Sequence, residues 1–347
     1  MEARACSAES DVLSLLQDRF DPLPTPGSGR GMVSQLRAAD GRAIRYIDRG
    51  TPDQRPVVFL GGLGTSVLAF TLTEFLRTTR ERLELRLIAT ERNGFGETPF
   101  DAGRGLDDAA DDVLTVLAAL GVERFALVAF SGGGPYAAAI AARVPDRVTS
   151  LHLAAAVTGA PLLAGAPLLT GAPLLAGAPL LAGAPLLAGV RRARSFSSAA
   201  AEIAADPREF WRFPPSSPVH RIPGFAAAAM AEGEYALAEP MRAALALTHE
   251  LNLLHTQPLP DLRHVLAPAF VYWGSADATV GEDHAAAWQD ALAGHVTPRR
   301  YPGEAHDVQY RHWDRILLDL AGHGERTLGR AGPWSQATSS TSTRGAG

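Results

Sequence analysis

Residues 127–136 run Leu127-Val128-Ala129-Phe130-Ser131-Gly132-Gly133-Gly134-Pro135-Tyr136. Apolar residues from Phe125 to Ala129 predict a buried strand, and glycines and a helix-like pattern follow the serine. A tight turn between a strand and a helix needs small neighbours, and it leaves the Ser131 Oγ exposed at the helix N-terminus. The segment therefore indicates a nucleophile at a strand end, although a serine in this place also caps an ordinary helix.

Strand-like and helix-like segments alternate on both sides of this turn, which predicts the α/β class with a mainly parallel, doubly wound sheet and helices on both faces. The turn Ala39-Asp40-Gly41 between the first two strands favours a hairpin. The predicted strands are 32–38, 43–48, 57–60, 85–89, 125–129, 148–153, 269–273 and 296–301, and the predicted helices are 65–82, 106–120, 132–142, 282–292 and 307–321.

The alternation stops and later resumes, which predicts an insertion within one core. The insertion is rich in short apolar stretches broken by proline, which favours several short helices that form a cap. The predicted segments are an N-terminal extension and linker over 1–31, a first part of the core over 32–156, the cap over 157–261, a second part of the core over 262–322 and a disordered tail over 323–347.

A hexapeptide repeat, Gly-Ala-Pro-Leu-Leu-Ala, fills residues 159–188 with Thr170 as its one departure. The surrounding run 153–190 carries no charge, which raises the possibility of a transmembrane helix. Proline at every sixth position opposes a helix, because each one costs about 3 kcal/mol in a helix interior. We expect a loop of the cap without a chemical role, and a membrane-binding role is the alternative.

The composition excludes several classes of protein. A net charge of -5 gives no basic excess that would attract nucleic acid or an anionic membrane. The chain contains no lysine, which excludes Schiff-base and pyridoxal phosphate chemistry and a Walker-type phosphate loop. Cys6 is the one cysteine, and residues 1–9 lack the apolar run of a signal peptide, so we expect the cytoplasm as the compartment.

The segment around Ser131 resembles the nucleophile elbow of the α/β-hydrolase family, whose pattern is Gly-x-Ser-x-Gly. Ala129 stands in place of the first glycine, and Gly133 keeps the second. Residues 91–98 are similar to the family's Asp-x-x-Gly-x-Gly-x-Ser segment, with Glu and Thr in place of its first and last residues. The resemblance implies an α/β-hydrolase fold with Ser131 as the nucleophile.

Two later strand ends resemble the family's other catalytic positions. Asp277 lies in a turn after the strand 269–273, similar to the family's Gly-x-x-Asp turn. His306 follows the last predicted strand and precedes a helix, as the family's histidine does. The order Ser131, Asp277, His306 is also the family's order. The resemblance implies that His306 is the general base and that Asp277 orients it.

The oxyanion hole needs two backbone N–H groups near the nucleophile. The resemblance implies that Gly132 supplies one of them, because it follows the nucleophile. Residues 60–64 resemble the family's His-Gly loop, which implies that Leu63 supplies the other, although Gly61 stands where the family has histidine.

Two rival patterns are incomplete. Gly62 to Val67 partly matches a dinucleotide fingerprint, with Glu91 as a ribose ligand, but Val67 replaces the third small residue. His249 begins a zinc-protease pattern whose second histidine would stand at position 253, which is leucine. We therefore expect neither a cofactor nor a metal.

The resemblance implies a serine hydrolase that cleaves a small, fairly apolar ester through an acyl-enzyme. A nucleophilic serine instead of aspartate argues against epoxide hydrolases and dehalogenases. The alternatives are a proline-iminopeptidase-like enzyme or a carbon–carbon bond hydrolase with the same triad, and a catalytically silent binding protein on this fold. A small-molecule substrate is the expected partner. The apolar preference rests on five residues of the predicted cap: Phe210, Trp211, Phe213, Phe225 and Met230.

Overall fold

The computed structural model describes residues 19–24, 28–159 and 217–323. Within them, eight strands form one sheet. The strands are β1 Ser34–Arg37, β2 Ala43–Arg49, β3 Arg55–Leu60, β4 Leu85–Thr90, β5 Phe125–Phe130, β6 Val148–Ala154, β7 Ala269–Gly274 and β8 Val296–Tyr301. Their order is β1-β2-β4-β3-β5-β6-β7-β8. The pairs β1·β2 and β2·β4 are antiparallel and the other five are parallel, which confirms the predicted α/β class and mainly parallel sheet.

The α-helices of the described residues follow the predicted alternation. They are α1 Arg77–Arg82, α2 Leu106–Ala119, α3 Gly134–Arg143, α4 Phe225–Ala236, α5 Pro240–Thr256, α6 Glu282–Ala291, α7 Val308–Arg311 and α8 Trp313–Leu320. Helices α4 and α5, which we name the inter-strand helices, lie in the segment between β6 and β7 where the sequence predicts several short helices, but α5, with 17 residues, is longer than predicted. The hairpin is also present, and Gly41 occupies its turn with a φ of 86°, a conformation that favours glycine.

Strand β5 shows why the sheet is buried on both faces. Its side chains alternate, so that Ala126, Val128 and Phe130 join one hydrophobic cluster. Phe125, Leu127 and Ala129 join the cluster on the opposite face. Every residue of the strand is apolar and buried. This is usual for a parallel strand at the centre of a sheet, where helices cover both faces.

Two predicted helices differ from their observed form. The stretch predicted as one helix over 65–82 is a 3-10 helix, Val67–Leu76, followed by α1. All ten residues of the 3-10 helix are buried, so no polar face fixes an α-helical period. The last predicted helix is divided at His312 into α7 and α8, and the His312 ring stacks on Tyr301 with 3.5 Å between the ring centroids.

Several predictions concern residues outside the described ranges. They include Cys6, the repeat from residue 160 onward, the aromatic residues Phe210, Trp211 and Phe213, and the tail from residue 324 onward. Within 19–24, 28–159 and 217–323, no helix combines the length and apolar character needed to cross a bilayer.

The topology brings four strand ends to one edge of the sheet. The chain passes from β3 to β4 on one side and then returns to β5 on the other, so that β3 and β5 flank a switch point. Ligands of open α/β sheets bind outside the carboxyl ends of the strands at such a point. The segments after β3, β5, β7 and β8 carry Leu63, Ser131, Asp277 and His306, respectively.

Candidate active site

Ser131 occupies a strained turn between β5 and α3. It has a φ of 49°, one of three positive values among the described non-glycine residues. A residue other than glycine adopts this conformation only where its surroundings impose it. The surroundings here are tight, because a Cβ on Gly133 would lie 2.5 Å from the Leu60 carbonyl oxygen and one on Gly134 would overlap the Val157 carbonyl oxygen. The glycines are therefore required for the turn that presents the serine.

The structure brings the three predicted side chains together. His306 Nε2 lies 3.1 Å from Ser131 Oγ, and His306 Nδ1 lies 2.8 Å from Asp277 Oδ2. The other oxygen of Asp277 accepts hydrogen bonds from the backbone N–H groups of Thr279 at 2.8 Å and Val280 at 2.9 Å. The carboxylate is thus fixed by its own turn. With Nδ1 donating to Asp277, Nε2 of a neutral imidazole accepts the Ser131 hydroxyl proton.

Burial and charge act in opposite directions on the pKa values of this pair. Burial alone would raise the pKa of Asp277, but the charge of His306 and the hydrogen bonds that the carboxylate accepts lower it below its usual value. Burial alone would lower the pKa of His306, but the Asp277 carboxylate, with a smaller contribution from Asp307, raises it. The arrangement therefore favours an ionised carboxylate beside an imidazole that can take up a proton.

The loop that follows β3, residues 61–66, which we name the β3 loop, lies against Ser131. A Cβ on Gly62 would be 3.5 Å from the Ser131 Cβ. A Cβ on Gly132 would be 2.7 Å from the Leu63 backbone nitrogen, so these two predicted donors lie side by side. Two neighbouring N–H groups next to a nucleophile can stabilise an oxyanion.

Buried charged side chains form hydrogen bonds with the backbone of the β3 loop. The sequence patterns indicated no role for three of them, Arg92, Glu250 and Glu232. Arg92, from the segment after β4, donates to the Thr65 carbonyl oxygen at 2.8 Å and also to the Gly62 carbonyl oxygen. Glu250 of α5 accepts from the Gly64 N–H at 2.8 Å, and Glu232 of α4 accepts from the Ser66 N–H at 2.7 Å. A signal for Glu250 does exist in the sequence, because it lies one helical turn from the buried Leu247 and Leu254 on an otherwise apolar face.

Ser217 is another residue that the sequence patterns did not single out. Its hydroxyl donates a 2.6 Å hydrogen bond to Asp307 Oδ2, immediately after His306. Ser217 lies on the chain between β6 and β7, so this bond ties that segment to the loop that carries the histidine.

Residues of the two rival sequence patterns, the dinucleotide fingerprint and the zinc-protease pattern, form hydrogen bonds within the protein. Glu91 is buried, and one of its oxygens accepts the N–H of Val67, the first residue of the 3-10 helix after the β3 loop, at 2.8 Å. His249 lies 2.6 Å from the Arg104 carbonyl oxygen, and His255 lies 2.7 Å from the Leu251 carbonyl oxygen. In the part of the chain that the structure describes, no group of three or more His, Cys, Asp or Glu residues could hold a metal ion.

A model of the alpha/beta hydrolase fold family matches residues 55–313, which is well over half of the chain. The chain belongs to the α/β-hydrolase fold family. No curated protein is significantly similar to it.

Solved structures with the same fold cover more than four fifths of this chain. One is an esterase from Rhodococcus sp. ECU1013, at 21% identity and a TM-score of 0.59, covering 86% of this chain and 100% of that one. Another is the enol-lactonase from Burkholderia xenovorans LB400, at 15% identity and a TM-score of 0.58, covering 84% and 99%. A third, among novel epoxide hydrolases from metagenomes of hot environments, has 17% identity and a TM-score of 0.59, covering 84% and 97%. At these identities the likeness shows the fold.

Proposed function

We propose that this protein is a serine hydrolase that cleaves small, fairly apolar carboxylic esters through an acyl-enzyme. The observation that carries the proposal is the chain of hydrogen bonds from Asp277 through His306 to Ser131 Oγ, at a strand end where Ser131 is held in a strained turn. This is the arrangement of a nucleophile, its general base and the group that orients the base.

In the first half of the reaction, His306 Nε2 takes the proton of the Ser131 hydroxyl while Oγ attacks the carbonyl carbon. The carbonyl oxygen becomes negative and accepts hydrogen bonds from the N–H groups of Leu63 and Gly132. Collapse of this intermediate breaks the bond to the alcohol oxygen, which receives the proton from His306. An acyl-enzyme on Ser131 and a free alcohol result.

In the second half, water repeats the sequence. His306 accepts a proton from the water, whose oxygen attacks the acyl carbon, and the same two N–H groups stabilise the oxyanion. The proton returns to Ser131 Oγ as the acid leaves. Asp277 keeps the imidazole oriented and stabilises its charged form throughout.

Ester cleavage is favoured over epoxide opening because the residue at the elbow is a serine. A lactone is a cyclic ester, so the esterase and the enol-lactonase that share this fold both act on bonds of the proposed class. Of the residues on which the preference for an apolar substrate rests, Phe225 and Met230 lie in the described chain. Phe225 packs in the core, with its ring 5.0 Å from that of Tyr310, so it supports the preference less than Met230, which is 40% exposed.

We also propose that residues 157–261 form a cap over the site, with the core parts and terminal segments bounded as the sequence predicts. The contacts of Glu232 and Glu250 with the β3 loop support this view, because both side chains reach the loop from the inter-strand helices. A single cysteine fits a reducing compartment, and we propose the cytoplasm on that ground.

The proposal is tested by labelling with a fluorophosphonate probe, together with steady-state hydrolysis of p-nitrophenyl esters of increasing chain length and of proline p-nitroanilide. We expect labelling of the wild type but not of Ser131→Ala, and the highest kcat/KM on short or medium esters. Cleavage of the proline amide alone would favour an aminopeptidase. A wild type that is neither labelled nor active would favour a silent binding protein and overturn the proposal.

A further inference from the structure

The β3 loop carries Leu63, yet its own residues do little to fix it. Within the loop, the Thr65 hydroxyl and the Thr65 N–H donate to the Gly62 carbonyl oxygen at 2.7 and 3.4 Å, and side chains from distant parts of the chain also hold the backbone. Three of them are charged and come from two places: Arg92 after β4, and Glu232 and Glu250 on the inter-strand helices. An oxyanion donor is effective only when it is held at hydrogen-bond distance before the reaction begins.

Arg92 fixes the carbonyl side of the β3 loop. Its guanidinium donates to the carbonyl oxygens of Gly62 and Thr65, the residues on either side of Leu63 and Gly64. The side chain is 9% exposed, and its Cζ lies 5.2 Å from the centroid of the Tyr136 ring. A buried guanidinium with several acceptors is rigid, because each of its donors has a fixed direction in one plane.

Glu250 fixes the N–H side of the loop and also Arg92. Its Oε2 accepts from the Gly64 N–H at 2.8 Å, whereas its Oε1 accepts from the Tyr136 hydroxyl at 3.0 Å and from Arg92. The carboxylate is 2% exposed and is faced by donors alone. No glutamine could replace it without turning an amide N–H₂ toward one of these donors.

Glu232 holds the next residue of the loop in a different way. One oxygen accepts the Ser66 N–H at 2.7 Å, and the other accepts the Ser66 hydroxyl at 2.7 Å. A hydroxyl can also accept a hydrogen bond, so a glutamine could keep both contacts by donating its amide to Ser66 Oγ. The two carboxylates therefore differ in what they tolerate, and this difference can be tested.

We propose that Glu250 and Glu232 are positioning residues that set the Leu63 N–H at the oxyanion hole, Glu250 through Gly64 and Arg92 and Glu232 through Ser66. The inference rests on the proposed function. Its consequence is that Glu250 and Glu232 contribute to stabilisation of the transition state through the β3 loop, without themselves touching the substrate. A change in the packing of these helices then alters turnover more than substrate binding.

The test compares four variants: Glu250→Gln, Glu232→Gln, Glu232→Ala and the control Glu234→Gln, which neutralises an exposed carboxylate on the same helix as Glu232. We expect Glu250→Gln to lower kcat about 10- to 100-fold with KM changed less than about threefold, because a misplacement near 1 Å can cost about 100-fold. We expect Glu232→Ala to lower kcat at least about tenfold. Glu232→Gln should lower log kcat by less than half as much as Glu232→Ala does.

Inhibitor binding separates positioning from general damage. A trifluoromethyl ketone forms an oxyanion with Ser131 and uses the hole, whereas the matching methyl ketone serves as a ground-state analogue. We expect Glu250→Gln to weaken the first at least about tenfold more than the second. Equal weakening of both ketones, or a kcat within about twofold of Glu234→Gln in a folded protein, would overturn the inference.

One further variant and the behaviour of the wild type keep the test decisive. If Glu250→Gln does not fold, Tyr136→Phe removes one of the hydrogen bonds to Glu250 and keeps the ring beside Arg92. A threefold or larger fall in kcat, with the same selective loss of the trifluoromethyl ketone, would then support the inference, and unchanged values would overturn it. Failure of the proposed function has a separate signature, since the wild type itself would then be neither labelled nor active, and the positioning role would fall with it.

Discussion

The Val67 N–H donates a 2.8 Å hydrogen bond to Glu91 Oε1, which fixes the residue that follows the β3 loop through a carboxyl group that is 5% exposed. The other oxygen of Glu91 has no hydrogen-bond partner among the residues that the structure describes. Burial raises the pKa of Glu91 to about 8, and the neighbouring Glu232 contributes in the same direction. A protonated Glu91 is therefore expected in the folded protein at neutral pH.

Glu91→Gln should flatten the pH dependence of stability. In the folded protein Glu91 keeps its proton up to about pH 8, whereas in the unfolded chain it loses the proton near pH 4.5. Between these values the unfolded state binds fewer protons, so the free energy of unfolding falls as the pH rises, by about 1.4 kcal/mol for each pH unit. Glutamine resembles the protonated form and removes this dependence.

Urea unfolding at about pH 5.5 and about pH 7.5 checks this expectation. The loss of unfolding free energy between the two should be smaller in Glu91→Gln than in the wild type, by up to about 3 kcal/mol. Glu234→Gln, an exposed carboxylate, should behave as the wild type does. An identical loss in the wild type and Glu91→Gln would show that Glu91 is ionised in the folded state.

Ser131→Ala and His306→Ala should each lower kcat on an ester substrate by about 10⁴-fold or more. The two residues share one hydrogen bond of 3.1 Å and act as a unit, so the double variant should lose little more than either single variant. Steady-state hydrolysis measures the losses, and circular dichroism verifies that each variant is folded. Near-wild-type turnover by Ser131→Ala would remove the serine from the mechanism.

Asp277→Asn should change the pH profile as well as the rate. Asp277 raises the pKa of His306, so the wild-type kcat/KM should rise with pH and reach half its maximum above pH 6.5, where the imidazole becomes neutral. Removing the carboxylate charge should move this half-point to lower pH and reduce kcat by less than Ser131→Ala does. If Asp277→Asn were less active but kept the wild-type pH of half-maximal kcat/KM, another carboxylate would have to act on His306.

The candidate triad could be predicted from the sequence because the local patterns around its members resemble those of the α/β-hydrolase family. Ser131, Asp277 and His306 each follow a strand-like run within a few residues, and the carboxyl ends of parallel strands share one edge of the sheet. The strands themselves follow from apolar runs of the right length, as in β5, whose residues are buried on both faces.

The support of the β3 loop could not be predicted in this way. Arg92 and Glu250 are 158 positions apart, and their contact depends on how α5 packs against the core. Local patterns do not determine how a helix packs against a segment so distant in the sequence. A single carboxylate on an apolar helix face also does not indicate which residue it contacts. The 3-10 form of Val67–Leu76 is likewise decided by tertiary burial and not by a sequence period.

Gly132→Ala should disable the oxyanion hole. A Cβ at this position would lie 2.7 Å from the Leu63 nitrogen and 3.0 Å from the Leu63 Cα, both parts of the backbone. The β3 loop must then move away from Ser131, which separates the two N–H donors by a few tenths of an ångström or more. Loss of one donor costs about 10²- to 10³-fold in kcat, and we expect Gly132→Ala to approach this range.

Gly132→Ala should also lower the thermal midpoint, because the added Cβ meets backbone atoms that cannot yield cheaply, although Gly132 itself has no positive φ. The matched control is Gly31→Ala, where an added Cβ meets nothing within 4 Å, and it should keep wild-type kinetics. The measurements are kcat, KM and the thermal midpoint of each variant. If Gly132→Ala hydrolysed esters at the wild-type rate, the N–H groups of Leu63 and Gly132 could not be the pair that stabilises the oxyanion, because the added methyl group must disturb their spacing.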